Sequence, residues 1–201
     1  MIYDLIVAGS GSVGAAAGWY ARLAGLNVLM IDASHPPHNN GSHHGKTRLV
    51  RHALYESISY VPLIQKARQL WDQLEQQSGE RLMHRYGVIN LGPASSDFMT
   101  NIARSATICA PDIQELTSSE IRQRWPQFTI PDDYTGLFEP RAGFLKSELA
   151  VKQYIRLAQA AGCALLFNCP ITALGRRGDI EQVETPEGTF QARKLLITAG
   201  T

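Results

Sequence analysis

The sequence of 201 residues predicts an α/β fold, in which helices cover a parallel sheet. Two observations support this prediction. The first 32 residues contain an apolar run, a glycine-rich turn, an alanine-rich segment and a second apolar run, which is the order of a β-α-β unit. The last part of the chain is rich in predicted strands, and its Pro186-Glu187-Gly188 turn is typical of a β-meander inserted before a final strand.

The β-α-β unit is predicted element by element. Residues 3–8 form a short apolar run that ends at glycine, as buried parallel strands do. Residues 12–24 are rich in alanine and free of proline, which favours a helix, and Gly25 is suited to its C-terminal end. Residues 28–31 predict a second buried strand that ends at Asp32.

The rest of the chain is predicted more coarsely. Residues 33–46 contain prolines, glycines, asparagines and four histidines, so we expect a long loop. Ser59 and Ser147 are each expected to cap a helix, and Thr117 with Glu120 has the spacing of a capping box. The predicted helices end near 76 and 162, and the predicted strands lie at 87–91, 164–167, 171–174, 180–184, 189–191 and 195–198.

The composition excludes several classes of protein. Apolar residues make up 44% of the chain, which is enough for a core and excludes a disordered chain. A formal net charge of +1 gives no general attraction for nucleic acid, and no apolar run reaches the roughly 18 residues of a membrane span. Cys109, Cys163 and Cys169 form no CxxC pair, so we expect core cysteines in a protein of the reducing cytosol.

The glycine-rich turn predicts a dinucleotide-binding site on a Rossmann-like fold. The motif reads Gly9-Ser10-Gly11-Ser12-Val13-Gly14. Gly9 allows the tight turn, Gly11 lets a diphosphate approach the backbone, and Gly14 lets the helix lie close to the strand. Backbone N–H groups at the start of the helix bind the phosphates. Asp32 is placed to accept hydrogen bonds from a ribose diol, which disfavours NADP. A glycine turn without a ligand is the alternative.

This motif by itself leaves FAD and NAD open. An NAD-binding fold continues with a third parallel strand after a crossover helix, whereas this sequence continues with the histidine-rich loop. A late strand near 195–199 ends at Gly200, which suits an FAD-binding fold in which a late strand returns to the cofactor. We therefore expect FAD, with an NAD-dependent dehydrogenase as the alternative.

A basic segment at residues 42–52 overlaps the end of the histidine-rich loop. It contains Lys46, Arg48 and Arg51 and no acid, and its two guanidiniums suit bidentate binding of a carboxylate or phosphate. A solvated basic loop, or a phosphate clamp for the cofactor, is the plainer interpretation. His43 and His44 are adjacent and lie in no HxxxH or HExxH motif, so we expect no metal site.

This basic segment is also the most specific signal in the chain. The string Gly41-Ser42-His43-His44-Gly45, with Thr47-Arg48 and Arg51-His52-Ala53 after it, resembles the monomeric sarcosine oxidase and N-methyl-L-tryptophan oxidase family of FAD-dependent amine oxidases. Further similarities are residues 2–14, Asp32, Pro36-Pro37-His38, Tyr60-Val61-Pro62-Leu63, Gly87-Val88, Arg124-Trp125-Pro126 and Ala199-Gly200.

The resemblance implies oxidative demethylation of an N-methyl amino acid, such as N-methyl-L-tryptophan or sarcosine. Hydride equivalents pass to the flavin, and the resulting imine hydrolyses to formaldehyde and the free amino acid. Oxygen then re-oxidises the flavin and is reduced to hydrogen peroxide. The partners implied are therefore a small-molecule substrate and oxygen, with no nucleic acid or membrane, and the complete protein is expected to be a monomer.

The resemblance also implies the site residues. Arg51 resembles the arginine that binds the substrate carboxylate, and His44 and Arg48 match residues beside the flavin ring, where a cation favours the anionic reduced flavin. The implied cofactor contacts are the six residues of the glycine motif together with Asp32, Ala33, Ser42, His43, Thr47, Arg48, Ile171, Ala199 and Gly200. The chain departs from the family at Lys46, where an acid is common, at Leu54, where a tyrosine is common, and at Tyr55 and Ser57, which replace glycines.

The predicted domains are an FAD-binding domain at 1–84 and 145–201 and part of a substrate domain at 85–144. The chain stops at a strand entering a glycine turn, so we expect the first part of a longer protein. In the family, a cysteine that attaches FAD and a lysine that activates oxygen lie beyond this part. A truncated, non-catalytic dinucleotide-binding fragment is therefore a further alternative.

Overall fold

The structure, a computed structural model, describes residues 1–53, 58–109 and 112–200. Its contacts divide the chain into two units, Met1–Arg48 with Lys146–Thr201 and Leu49–Leu145. The strands described are β1 (Ile2–Ala8), β2 (Val28–Ile31), β3 (Arg48–Val50), β4 (Met83–His84), β5 (Val88–Pro93), β6 (Gln114–Thr117), β7 (Tyr134–Glu139), β8 (Gly143–Leu145), β9 (Ala164–Leu166), β10 (Ala173–Arg177), β11 (Ile180–Thr185) and β12 (Gly188–Ile197). The helices are α1 (Ser12–Leu23), α2 (Val61–Ser78), α3 (Asp97–Cys109), α4 (Ser118–Arg124) and α5 (Ser147–Ala160).

A six-stranded sheet forms the centre of the first unit, in the order β10-β11-β12-β1-β2-β9. The last four strands in this order run parallel, and β10 and β11 add an antiparallel edge. The predicted β-α-β unit is confirmed, since β1 and β2 pair in parallel from Leu5 and Val28 to Ala8 and Ile31. This sheet and its helices confirm the predicted α/β fold.

Small residues let α1 lie close to the sheet. Ala15 is fully buried on the helix face that also buries Gly14 and Gly18. A Cβ atom added at Gly18 would lie 2.5 Å from the sulfur of Met30 in β2, so only glycine fits without movement of the strand's side chain. On the same helix Trp19 is also buried, and α1 packs against α5.

The final strand runs beside the first one and ends at the glycine motif, where the cofactor was predicted to lie. β12 runs parallel to β1, from Gln191 opposite Ile2 to Ile197 opposite Ala8. The sequence predicted two short strands here, at 189–191 and 195–198, and this was wrong because β12 is continuous. Its first half also pairs with β11 as far as Ala192, so Gln191 and Ala192 have a paired strand on both sides.

The expectation that the chain lacks a third parallel strand was also wrong. β9 pairs in parallel with β2, from Ala164 opposite Leu29 to Leu166 opposite Ile31. A strand at 164–167 was predicted, but its parallel pairing with β2 was not, because the connection between the two strands contains the whole second unit as well as α5. The histidine-rich loop therefore no longer argues against an NAD-binding fold.

Two of the three predicted helix caps were wrong. The N-cap of α2 is Tyr60, because Ser59 belongs to a short 3₁₀ turn that precedes the helix. Ser147 is the first helical residue of α5 rather than its cap, and its hydroxyl lies near the histidine-rich loop. The capping box of Thr117 and Glu120 is confirmed, with both hydrogen bonds present.

The second unit contains a three-stranded antiparallel sheet of order β5-β7-β6. α3 packs on this sheet through Met99, Ile102 and Ala106, which meet Leu137 of β7 in a buried cluster. α2 lies in this unit as well, although it falls within the predicted FAD-binding domain. The assignment of domains to cofactor and substrate stays a prediction. Over the described ranges, no helix is long and apolar enough to cross a membrane.

Candidate dinucleotide-binding site

A cavity of about 540 Å³ lies where β1, β2 and β12 of the first unit end. Its position, outside the carboxyl ends of parallel strands, is where open α/β sheets bind ligands. It is lined by most of the predicted cofactor-binding residues, namely Gly9, Gly11, Ser12, Val13, Asp32, Ala33, Ser42, His43, Ile171, Ala199 and Gly200. The remaining predicted residues, Ser10, Gly14, His44, Thr47, Arg48 and Arg51, are all described and do not line it.

The glycine motif forms one wall of the cavity. Gly9 has a φ of 95°, and a Cβ atom at Gly14 would overlap its carbonyl oxygen, so both positions require glycine. Gly11 is the N-cap residue of α1, and no described side chain caps this helix. The first backbone N–H groups of α1 are therefore available for an anion in the cavity. Thr198 closes the turn from behind, since its hydroxyl donates to the Gly9 carbonyl at 2.6 Å.

Asp32 connects the glycine motif to the end of β2. The residue is 8% exposed. Its Oδ2 atom accepts the Ser10 N–H at 2.7 Å and its Oδ1 atom accepts the Ser34 N–H at 2.9 Å, while the His38 Nε2 atom lies 3.2 Å from Oδ1. These contacts leave acceptor capacity on a carboxylate that lines the cavity. Asp32 thus shapes the turn in addition to its predicted role toward a ribose.

His43 lines the same cavity and has a buried ring nitrogen without a hydrogen-bond partner among the described residues. The side chain is 4% exposed, and the nitrogen concerned is Nε2. Burial, reinforced by the neighbouring His38, lowers the pKa of His43 below its ordinary value, so the ring is neutral at neutral pH. Its Nδ1 atom would lie 3.3 Å from a Cβ atom at Gly11. The open backbone at Gly11 and the unpartnered nitrogen fit the diphosphate of a dinucleotide.

The start of α5 holds the histidine-rich loop in place. Glu148 accepts the Gly45 N–H at 2.9 Å, and its Oε1 atom lies 3.4 Å from the His44 Nδ1 atom. The Gly45 N–H, more than His44, holds the pKa of Glu148 below its ordinary value. The Ser147 hydroxyl lies 2.8 Å from the Gly45 carbonyl oxygen and 3.1 Å from that of His43. Two residues of α5 therefore position the loop that carries His43.

Arg48 folds back onto the same loop. Its guanidinium donates to the carbonyl oxygens of Ser42 at 3.0 Å and Thr47 at 2.9 Å, and also to that of His44. A fixed positive charge is thereby held against residues 42–47 of the first unit. Arg51, in contrast, belongs to the second unit, where it is half-buried. Leu54, Tyr55 and Ser57, three of the departures named from the sequence, lie outside the described residues.

Four residues that shape the site were missed by sequence reasoning: Ser34, His38, Glu148 and Thr198. A weak signal existed for Thr198, because it directly precedes the predicted Ala199-Gly200 turn. No comparable signal pointed to Glu148, which lies 103 positions from the glycine whose N–H it accepts. Cys163 and Cys169 are buried free cysteines, as expected.

The class of protein follows from this fold and site. A family profile described as FAD dependent oxidoreductase matches residues 4–201. The chain therefore belongs to the FAD dependent oxidoreductase family, and the expected cofactor, FAD, is confirmed.

Individual relatives narrow this class. The chain is 55% identical over all 201 residues to an N-methyl-L-tryptophan oxidase of Yersinia pestis and covers 54% of that protein. Its structure is similar to that of NikD, an unusual amino acid oxidase essential for nikkomycin biosynthesis, with a TM-score of 0.88 at 27% identity, over 98% of this chain and 51% of that one. Glycine oxidase from Geobacillus kaustophilus shares the fold, with a TM-score of 0.79 at 19% identity, over 98% of this chain and 55% of that one. The chain spans about half the length of these relatives.

Proposed function

We propose that this chain supplies the FAD-binding half of an oxidase that demethylates N-methyl amino acids, such as N-methyl-L-tryptophan or sarcosine. The net reaction converts the N-methyl amino acid, oxygen and water into the free amino acid, formaldehyde and hydrogen peroxide. Bound FAD supplies the redox chemistry by taking two electrons from the N-methyl group and passing them to oxygen. The 55% identity to a protein named N-methyl-L-tryptophan oxidase supports the choice of substrate.

The observation that carries the cofactor half of the proposal is the cavity beside the glycine motif. Backbone N–H groups at Gly11 and the start of α1 bind the diphosphate, and His43 contributes its unpartnered nitrogen. Asp32 uses its remaining acceptor capacity for the adenosine ribose. The other residues proposed to contact the cofactor are Gly9, Ser10, Ser12, Val13, Gly14, Ala33, Ser42, Thr47, Ile171, Ala199 and Gly200.

The residues proposed for the reacting end of the site are Arg51, His44 and Arg48. Arg51 binds the substrate carboxylate, for which a planar guanidinium provides two parallel N–H donors. His44 lies beside Glu148, which orients its ring, and Arg48 keeps a permanent charge next to the loop. A cation at this point stabilises negative charge that develops on the flavin ring.

The proposal includes the organisation of the complete protein. Residues 1–84 and 145–201 contribute to the FAD-binding domain, and residues 85–144 contribute to the substrate domain. The complete protein acts as a cytoplasmic monomer on a small-molecule substrate and oxygen, without a nucleic acid or membrane partner.

The first experiment titrates the chain with FAD and, separately, with NAD, and follows thermal unfolding and flavin fluorescence. FAD at 100 times its Kd is expected to raise the free energy of unfolding by about 2.7 kcal/mol, whereas NAD has no effect. Gly11→Ala should weaken FAD binding, because the new Cβ atom meets the His43 ring at 3.3 Å. Gly175→Ala is the matched control, since its Cβ atom would meet only Gln182 at 3.9 Å. Stabilisation by NAD alone would favour the dehydrogenase.

The second experiment tests turnover. The FAD-loaded chain is incubated with N-methyl-L-tryptophan in air, and formaldehyde and peroxide are measured. Equal amounts of both products are expected from the proposed reaction. FAD binding without either product would leave the chain as a non-catalytic FAD-binding fragment.

A further inference from the structure

The second unit contains a buried carboxylate whose hydrogen bonds end directly beside Arg51. Glu139, the last residue of β7, is 1% exposed. Its Oε2 atom accepts the backbone N–H of His52 at 2.7 Å and that of Ala53 at 3.0 Å. Its Oε1 atom accepts the side-chain amide of Asn90, in the neighbouring strand β5, at 3.2 Å. One side chain of the sheet therefore holds two successive peptide units that follow Arg51.

The contact between Glu139 and His52 is a hydrogen bond to the backbone and not an ion pair of side chains. Burial, together with the charge of Arg68, lowers the pKa of His52 to about 4, so its ring is neutral at neutral pH. The His52 Nδ1 atom lies 3.9 Å from Oε2, which is too far for a hydrogen bond. Backbone N–H groups and the Asn90 amide thus solvate the carboxylate, as charge-assisted hydrogen bonds do.

We propose that Glu139 is a positioning residue for Arg51, which fixes the backbone after this arginine and so aims its guanidinium at the carboxylate of an amino acid. This inference rests on the proposed function, because it uses the role given there to Arg51. When an arginine binds a ligand, its side chain loses freedom, and so does any mobile backbone that carries it. A backbone that is already ordered removes the second of these costs. Arg51, His52 and Ala53 belong to no described helix or strand, so the hydrogen bonds to Glu139 contribute to fixing this part of the backbone.

The same unit offers a matched control. Glu75 also accepts two successive backbone N–H groups with one oxygen, from Leu82 at 2.7 Å and Met83 at 2.8 Å. Glu75 is 20% exposed, and the two N–H groups that donate to it do not adjoin Arg51. Removal of either carboxylate therefore leaves two backbone N–H groups without their acceptor. Only the removal of Glu139 affects N–H groups next to Arg51.

The first test needs no cofactor. Nitrogen relaxation of the Arg51 backbone and side chain is measured in the chain and in Glu139→Ala, Glu139→Gln and Glu75→Ala. In Glu139→Ala the Arg51 backbone order parameter is expected to fall from roughly 0.85 to below 0.6. Glu139→Gln keeps an oxygen for the two N–H groups, so the Arg51 order parameter should stay at its wild-type value. The same value is expected in Glu75→Ala. An unchanged Arg51 in Glu139→Ala, or an equal loss in Glu75→Ala, would overturn the inference.

A shortened side chain covers the case in which Glu139→Ala does not fold. Glu139→Asp keeps the charge but withdraws the carboxylate by one methylene, so it should also loosen Arg51. A folded Glu139→Asp variant with Arg51 as ordered as in the wild type would overturn the inference as well.

The second test measures the consequence for a ligand. Binding of N-methyl-L-tryptophan and of N-methyltryptamine, which lacks the carboxylate, is compared without oxygen in the FAD-loaded chain through the flavin absorbance. Glu139→Ala should lose roughly ten-fold or more of the preference for the carboxylate, whereas Glu75→Ala should keep it. A wild-type chain with no preference would refute the proposed role of Arg51, while the relaxation data still decide on Glu139. If Glu139→Ala keeps the preference for the ligand with the carboxylate, the inference about Glu139 is overturned, while the proposed role of Arg51 stands.

Discussion

Asp32 and Glu139 are two buried carboxylates that do the same physical work in different units. Each accepts two backbone N–H groups, those of Ser10 and Ser34 in one case and those of His52 and Ala53 in the other. The Asp32 donors lie 22 and 2 positions away along the chain, whereas the Glu139 donors lie 87 and 86 positions away. Asp32 was predicted as a site residue and Glu139 was not.

The difference shows what makes a functional carboxylate visible in a sequence. The β-α-β unit has short connections, so its geometry fixes the spacing between the glycine turn and the acid at the end of β2. Glu139 lies in β7, where it pairs with Val88 of β5, and its two backbone donors come from a segment more than 80 positions earlier in the chain. The first arrangement is local and recurs as a motif, while the second depends on tertiary contacts.

The largest expected effect comes from Gly14→Ala, which destroys the local arrangement while leaving Glu139 untouched. The added Cβ atom would overlap the Gly9 carbonyl oxygen, and this clash can be relieved only if the backbone of the turn or of α1 moves. We expect a loss of about 3 kcal/mol in the free energy of unfolding, although alanine favours helices over glycine by about 1 kcal/mol. Urea unfolding measures it, with Gly175→Ala as the control. A stabilised variant would show that α1 does not pack as described.

The Glu139 region has a pH dependence that follows from His52. The folded protein keeps His52 neutral down to a pH of about 4, whereas the unfolded chain protonates it near 6.5. The unfolded state therefore binds more protons in this window, so stability falls as the pH is lowered from 6.5 to 4, by up to about 3 kcal/mol. Urea unfolding at several pH values measures the slope, and His52→Asn should reduce it. If the free energy of unfolding changes equally with pH in His52→Asn and in the wild type, His52 is not the source of the pH dependence.

A direct comparison of the two carboxylates uses Asp32→Ala and Glu139→Ala. Each variant leaves two backbone donors without their acceptor, which costs about 1–3 kcal/mol per buried group. Only Asp32→Ala should also weaken FAD binding, because Asp32 lines the cavity. Chemical unfolding and FAD titration of both variants separate the two effects. Equal losses of FAD affinity would contradict the division of roles.

The smallest expected effect concerns Glu148. Glu148→Gln keeps an oxygen for the Gly45 N–H but removes the charge beside His44, so FAD affinity should change by roughly a factor of two. Glu148→Ala removes both contacts and should weaken FAD binding further. Isothermal titration of the two variants measures the difference, and equal affinities would show that the Gly45 hydrogen bond does not position the loop.

Local interactions explain which elements were predicted from the sequence. β1, α1 and β2 were predicted to within about two residues, because burial, alanine content and glycine act over a few neighbouring positions. The capping box at Thr117 was predicted for the same reason. The predicted caps at Ser59 and Ser147 were wrong, since a serine before an apolar stretch also occurs in a 3₁₀ turn or within the first helical turn.

The glycine motif and its dinucleotide ligand were predicted from the sequence alone, because the turn, the helix start and the acid belong to one continuous segment of chain. The choice of FAD over NAD came from the resemblance to the family along the rest of the sequence. Tertiary structure decided the insertion of a whole unit before β9, the contacts of Glu148 with the histidine-rich loop, and the burial of Glu139 beside Arg51. These features join residues that are far apart in the chain. Their free energy arises only when both partners are brought together and withdrawn from water, which no local pattern of residues records.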